Sequence, residues 1–128
     1  MRRIDSPLLI VVLALSLAVP AVSSARAEAT VRGRVLAGPT CPVERPGDPA
    51  CAPRPVVAAI TVSTPGGRVI RTIRSSASGR FTLTLARGAY LLKPRALSGA
   101  LPVGRAVRIH VRAGRITRVV LSMDTGIR

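Results

Sequence analysis

The stretch SGRFTLTLARGAYLL, residues 78–92, decides the fold class of this chain. Polar and apolar side chains alternate along its first half, and a second alternating run begins after Gly88. Alternation with a period of two is typical of a β-strand that buries one face. Both aromatic side chains of the chain lie here, and each buries a large area in a core otherwise made of aliphatic residues. We therefore expect two adjacent strands whose buried side chains are Phe81, Leu83, Leu85, Tyr90 and Leu92.

The same alternation recurs in residues 29–37, 56–64, 67–75, 104–112 and 114–123. In residues 67–75 it places Ile70 and Thr72 on the face opposite Arg71 and Ile73. Turns that contain glycine separate the segments, because glycine adopts the positive φ that tight turns need. Seven short strands with such spacing predict a seven-stranded antiparallel β-sandwich of about 100 residues. The further expected core residues are Val31, Gly33, Val35, Ala58, Ile60, Val62, Ile109, Val111, Val119 and Leu121.

The start of the chain has the three parts of a secretory signal peptide. Two arginines precede the apolar run LLIVVLALSLAV, residues 8–19, and the segment ends in ARA at residues 25–27. A membrane-spanning helix needs about 18–20 apolar residues, and this run is shorter. The sequence therefore predicts a cleaved signal peptide over 1–27, a mature domain over 28–128 and no integral membrane span after cleavage. The mature protein is expected to be secreted or extracytoplasmic.

Both cysteines lie in the stretch GPTCPVERPGDPACAPRP, residues 38–55, which also holds six prolines. Thiols outside the cytosol tend to oxidise to disulfides. A zinc site needs about four ligands, whereas the chain offers two cysteines and one histidine. A redox pair normally reads C-x-x-C, and the spacing here is longer. We expect Cys41 and Cys51 to form a disulfide that staples this proline-rich loop between the first two strands.

At these residues the chain resembles the carboxypeptidase regulatory-like domains, which are transthyretin-like (prealbumin-like), Ig-like β-sandwiches. The stretch 78–92 is similar to their core signature. The segment from Val31 to Val62, with its two-cysteine loop, and the closing MDTGIR resemble a secreted bacterial branch of that family. The resemblance covers about residues 30–128. It implies the fold and export, and it implies a non-catalytic accessory module.

The residues themselves offer no catalytic constellation. The single histidine, His110, is predicted on an outward strand face between Arg108 and Arg112. A catalytic histidine needs a nucleophile or carboxylate within reach, and no two acids of the mature chain have a spacing that pairs them. Hydroxyisourate hydrolases of the transthyretin-like fold use several histidines, whereas this chain has one, so this activity is not expected. A Lys–Asn isopeptide cross-link, as in some pilin domains, needs an asparagine, and the chain has none. We expect no catalytic residue, no metal and no cofactor.

The charge of the chain points to binding. Removal of residues 1–27 takes three arginines and one aspartate from 20 basic and 5 acidic residues, which leaves a net charge of +13. A strongly basic surface attracts anionic polymers, lipid headgroups or acidic proteins. Arginine-rich composition can also reflect a GC-rich genome, so the charge alone does not decide the function. The candidate polyanion-binding residues are Arg32, Arg34, Arg71, Arg108, Arg112 and Arg118.

Two functions stay open from the sequence. The first is a structural or protein-interaction module of the cell exterior, with an unknown protein partner. The second is a module that binds anionic cell-envelope polymers or lipid headgroups. Carbohydrate binding by aromatic stacking is less favoured, because Tyr90 is expected in the core. Nucleic-acid binding is disfavoured by export and by the lack of interleaved aromatic residues. Clustering of arginines on one sheet face would favour the second function.

Overall fold

Nine strands follow one another through the part of the chain that the computed structural model describes, residues 17–18, 27–43 and 45–127. A single 3₁₀ turn, Pro49–Cys51, lies between the first two strands. The strands are β1 Glu28–Gly38, β2 Arg54–Pro55, β3 Ala59–Ser63, β4 Val69–Arg74, β5 Arg80–Ala86, β6 Gly88–Arg95, β7 Val103–Gly104, β8 Val107–Val111 and β9 Thr117–Asp124.

The strands form two sheets that pack as a sandwich. Sheet A has the order β2-β1-β9-β7, with β5 also paired to β1, and sheet B has the order β4-β3-β6-β8. The predicted all-β sandwich is confirmed, and the seven predicted runs correspond to the seven longer strands. The two additional strands, β2 and β7, are two residues long. One pairing departs from the antiparallel expectation, because β1 and β9 run parallel.

The core contains nearly all of the side chains that the alternation selects. Phe81, Leu83, Leu85, Ile109, Val111 and Leu121 are buried, and Val119 packs against them while half-buried. Gly33 faces the core opposite Phe81, and a Cβ atom there would clash with the Phe81 ring. The missing side chain of Gly33 therefore leaves the space that the Phe81 ring occupies.

The two aromatic strands are consecutive but do not pair with each other. β5 pairs with β1 in sheet A, whereas β6 pairs with β3 and β8 in sheet B. The expectation that these two strands are adjacent in one sheet is therefore wrong, and the chain turns a corner between the sheets at Arg87. The Tyr90 hydroxyl donates a 2.6 Å hydrogen bond to the Ala86 carbonyl across this corner. A single connecting residue leaves too little chain to bring two strands side by side, so the second strand enters the facing sheet.

The pairing of strand β4 shows which of its two predicted faces packs against the core. Its register pairs Ile73 with the fully buried Ile60, so Ile73 packs against the core. Ile70, expected on the face opposite Ile73, is 43% exposed. The alternation is ambiguous here because Val69 and Ile70 are adjacent apolar residues, and a register shift between Val62 and Ser63 ends the regular pairing.

The proline-rich loop is closed as predicted by a disulfide between Cys41 and Cys51, whose Cα atoms lie 5.1 Å apart. Thr40 Oγ1 lies 3.2 Å from the carbonyl oxygens of both Ala50 and Ala52. The Asp48 carboxylate accepts a 2.9 Å bond from the Ala50 amide and caps the 3₁₀ turn. Side-chain bonds of this kind organise the loop where prolines remove backbone donors.

The predicted signal peptide, residues 1–27, lies outside the described residues except at 17, 18 and 27. It and the mature boundary at Glu28 remain predictions. In the described ranges, no helix has both the length and the apolar character needed to cross a bilayer.

Candidate functional site

A shallow cleft of about 620 Å³ lies on the outer face of sheet A. It runs across β5, β1 and β9, which are neighbours in that order. The outward positions of the three strands alternate with the core positions, so the same pattern that buries Val31 and Val35 turns arginines toward solvent. The arginines that line the cleft are Arg32, Arg34, Arg80 and Arg118.

The strand registers arrange these arginines in two rows. Arg34 pairs with Arg80 of β5 and with Val120 of β9. Two residues away along β1, Arg32 pairs with Arg118 of β9 and with Thr82 of β5. Each row therefore contains one arginine pair: the Arg34–Arg80 pair lies on the β5 side and the Arg32–Arg118 pair on the β9 side.

The described residues that line the cleft include no acidic side chain. On β1, Glu28 lies four residues before Arg32, and on β9, Asp124 lies four residues after Val120. Four residues of strand span roughly 13 Å, which exceeds the Debye length of about 8 Å at physiological ionic strength. Asp48 is in the cysteine loop, where its carboxylate caps the 3₁₀ turn. Both carboxylates therefore lie outside the lining of the cleft.

Like charges directly opposite each other on neighbouring strands are destabilising. The cleft contains two such pairs, and its arginines are exposed, so water and salt screen much of the repulsion. An anion placed between two guanidinium groups converts the repulsion into charge-assisted hydrogen bonds. The arrangement is therefore suited to bind anionic oxygen groups.

The structure brings together three of the six arginines proposed from the sequence, Arg32, Arg34 and Arg118. Arg108 lies on β8 of sheet B, and its backbone pairs with Leu91. Arg71 lies on β4, and Arg112 follows β8 in a turn. Arg80 was not among the proposed residues, although its outward direction follows from the alternation around Phe81. Only the pairing of β5 with β1 places it beside Arg34, and alternation does not specify which strands pair.

His110 lies exposed on β8, where its backbone pairs with Ala89. Arg108 lies two residues before it and Arg112 two residues after it, just past the end of β8. Among the residues that the structure describes, no group of three His, Cys, Asp or Glu side chains is placed to hold a metal ion.

A second cavity of about 450 Å³ lies between the outer face of sheet B and residues 96–106. Its lining is mixed. It includes the hydroxyl groups of Thr61 and Ser63 on β3, the ammonium group of Lys93 and the 55% exposed side chain of Val103. It offers two cationic side chains, Lys93 and Arg95, against the four arginines of the sheet A cleft, so the sheet A cleft is the stronger candidate for anion binding.

Solved structures share this fold at low sequence identity. The minor pilin of Streptococcus agalactiae aligns with a TM-score of 0.57 and 14% identity, over 77% of this chain and 45% of the pilin. The Bacillus anthracis TIE protein aligns with a TM-score of 0.52 and 11% identity, over 76% of this chain and 18% of that protein. A DUF3823 family protein from Parabacteroides merdae aligns with a TM-score of 0.47 and 18% identity, over 75% of this chain and 45% of that protein.

This chain thus spans less than half the length of each of these structures. The likeness to the pilin and to the TIE protein shows the fold alone. No protein-family model and no curated protein sequence matches the chain.

Proposed function

We propose that this protein is a non-catalytic, exported β-sandwich module that acts as a structural or protein-interaction part of the cell exterior. The observation that carries this proposal is a disulfide-stapled sandwich whose outer faces present arginines instead of a catalytic set. A disulfide persists in oxidising compartments, which supports a secreted or extracytoplasmic location. The pilin-like fold is compatible with such a role. We also propose that the chain belongs to the secreted bacterial branch of carboxypeptidase regulatory-like domains.

A second function, the binding of anionic envelope polymers or lipid headgroups, is favoured by the sheet A cleft. Four arginines line one surface there without an acidic residue in the lining. Such a surface raises the local concentration of anions and steers them to the site. Arg71, Arg108 and Arg112 would contribute only to the general positive field, since they lie elsewhere.

Retention on isolated envelopes separates the two functions. The exported full-length product is incubated with envelopes of its native host, which have been treated either with protease or by chemical extraction of anionic polymers. Loss of retention after protease alone supports a protein partner, and loss after polymer extraction alone supports the second function. Retention that withstands both treatments, or no retention at all, contradicts both.

The His110→Ala variant tests the non-catalytic assignment, with envelope retention measured as above and hydrolytic or transfer activity measured separately. Because His110 is exposed and outside the cleft, the variant should retain folding and binding. A reproducible hydrolytic or transfer activity that this change abolishes would overturn the assignment.

A further inference from the structure

We propose that the sheet A cleft binds two consecutive phosphodiester groups of one linear polymer, one group at each arginine pair. The proposal rests on the second function above and specifies its ligand. The first group lies between Arg34 and Arg80, and the second lies between Arg32 and Arg118.

The strand geometry sets the distance between the two positions. Arg32 and Arg34 are two residues apart on β1, which is about 7 Å along the strand. The two pairs also lie on opposite sides of β1, and neighbouring strands are about 4.8 Å apart. The centres of the pairs are therefore roughly 8 Å apart on a diagonal across the face. A polymer with an anionic group at about this interval meets both pairs at once.

The chemistry of the pairs favours phosphate oxygens. Each guanidinium presents donors in a rigid fork that matches phosphate or carboxylate. A carboxylate accepts hydrogen bonds mainly in the plane of its two oxygens. The non-bridging oxygens of a tetrahedral phosphodiester accept from a wider range of directions, so they can meet two forks that come from different strands. The pairing of arginines thus favours the tetrahedral group.

The remaining residues of the rows suit the linkers of a polymer. Val120 completes the first row and is 56% exposed, which offers an apolar surface to aliphatic linker atoms. Thr82 completes the second row and adds a hydroxyl group. The cleft is concave and crosses three strands, so it fits an extended chain better than the flat surface of a membrane.

A series of alkane bis(methyl phosphate) diesters of increasing linker length tests the spacing. Affinity for the intact full-length product is measured by calorimetry at low salt, with dimethyl phosphate, which carries one phosphodiester group, as the monovalent reference. We expect the tightest binding when the phosphorus atoms can lie about 8 Å apart, at least 10-fold tighter than the monovalent reference. An affinity that does not depend on linker length would overturn the two-position site.

Single substitutions test the assignment of residues. Arg80→Gln and Arg118→Gln remove one member of each pair, and each should weaken the optimal diester about 10-fold and bring it to the monovalent level. Arg108→Gln and Arg112→Gln remove the same charge elsewhere and should change the affinity less than 2-fold. Melting temperatures of all four variants exclude loss of folding as the cause. Equal losses in all four would overturn the cleft while leaving general polyanion binding intact.

Two further ligands separate the sources of anionic groups. A dicarboxylate series of matched spacing should bind more weakly than the diesters; equal affinity would overturn the preference for phosphate. Vesicles that contain anionic phospholipid should bind with an affinity per phosphate group no higher than that of the monovalent reference. Tighter vesicle binding that depends on Arg80 and Arg118 would show a membrane ligand instead. Poly(glycerol phosphate) serves as a polymeric ligand in the same measurement. If this polymer, the diesters and the vesicles all fail to bind, both the inference and the second function are wrong.

Discussion

At the scale of single residues, a buried hydroxyl joins two segments of sheet B. Ser75 is 3% exposed and follows β4. Its Oγ atom donates a 2.8 Å hydrogen bond to the Val56 carbonyl and accepts one of 2.8 Å from the Ala58 amide. This side chain therefore satisfies two backbone groups of the segment that leads into β3.

Replacement of Ser75 by alanine should lower the free energy of unfolding by about 1–3 kcal/mol, because it leaves buried backbone groups without their side-chain partner. Denaturant unfolding measures the change. Ser98→Ala, at an exposed position, serves as the control and should change stability by less than about 0.5 kcal/mol. Equal effects of the two substitutions would show that the Ser75 bonds contribute nothing.

Glycine positions with similar backbone angles differ in their surroundings. Gly79 has φ +74° and Gly114 has φ +72°. A Cβ atom at Gly79 would lie 2.5 Å from the Val35 carbonyl oxygen, whereas one at Gly114 meets nothing within 4 Å.

Gly114→Ala should therefore cost only the backbone strain of a left-handed residue, about 1–2 kcal/mol. Gly79→Ala should cost clearly more, because the Val35 amide also donates a 2.7 Å bond to the Gly79 carbonyl and the clash displaces that contact. Thermal unfolding of the two variants makes the comparison. A smaller loss for Gly79→Ala than for Gly114→Ala would contradict the close approach.

At the scale of elements, β4 stands at the edge of sheet B. Arg71 pairs with the fully buried Val62, so its side chain starts on the core-facing side of the edge strand. An inward-pointing charge at a sheet edge and a nearby register shift are common protections against edge-to-edge pairing. The sequence suggested a binding role for Arg71, and its position offers this second explanation.

Arg71→Val should promote association of sandwiches through β4, because it removes the charge and raises strand propensity. Thr72→Val makes a similar apolar change on the outward face of the same strand and should leave the protein monomeric at the same concentration. Sedimentation velocity at increasing concentration distinguishes the two variants. Association of both to the same extent would indicate general stickiness instead of edge protection.

The cysteine loop is an element attached to the sandwich, and Thr125, which directly follows β9, contacts the start of the loop. Thr125 Oγ1 donates a 2.6 Å bond to the Pro39 carbonyl, and the Thr125 amide bonds to the Gly38 carbonyl at 3.1 Å. No residue from Pro49 to Cys51 is buried. The disulfide should therefore stabilise the domain without being required for its fold.

Reduction, or the double change Cys41→Ser and Cys51→Ser, should lower the melting temperature and leave a β-rich, cooperatively folded protein. The closed ring is short, and the chain-entropy relation gives about 3 kcal/mol for it. Circular dichroism before and after reduction provides the measurement, and thiol labelling of the native protein confirms the starting state. Complete unfolding upon reduction would show that the loop organises the core.

At the scale of the whole molecule, the fold class could be predicted because alternation reports which side chains are buried. The core residues Phe81, Leu83 and Leu121 follow directly from it. Sheet membership could not be predicted in the same way, because alternation assigns a face to a residue but no partner to a strand. For this reason the corner after β5 and the place of Arg80 beside Arg34 appeared only in the structure.

The predicted start of the mature protein coincides with the start of the sandwich. β1 begins at Glu28, immediately after the predicted cleavage site, and Ala29 is already buried. We expect mass spectrometry of the product exported by a native or related host to give a chain that begins at Glu28, because the ARA ending at residues 25–27 is typical of a cleavage site. Membrane-bound material that retains Met1 would contradict this.

The parallel pairing of β1 with β9 has a consequence for the order in which the protein matures. The two strands pair from Val31–Thr117 to Gly38–Asp124, so the first strand of the chain pairs with the last one. Contacts between distant parts of a chain slow folding, because the intervening segment must be ordered first. If the polypeptide is exported from its amino end, β1 can pair with β5 once residue 86 has emerged, whereas its pairing with β9 is complete only after residue 124 has emerged. The topology therefore places the closure of sheet A at the end of export.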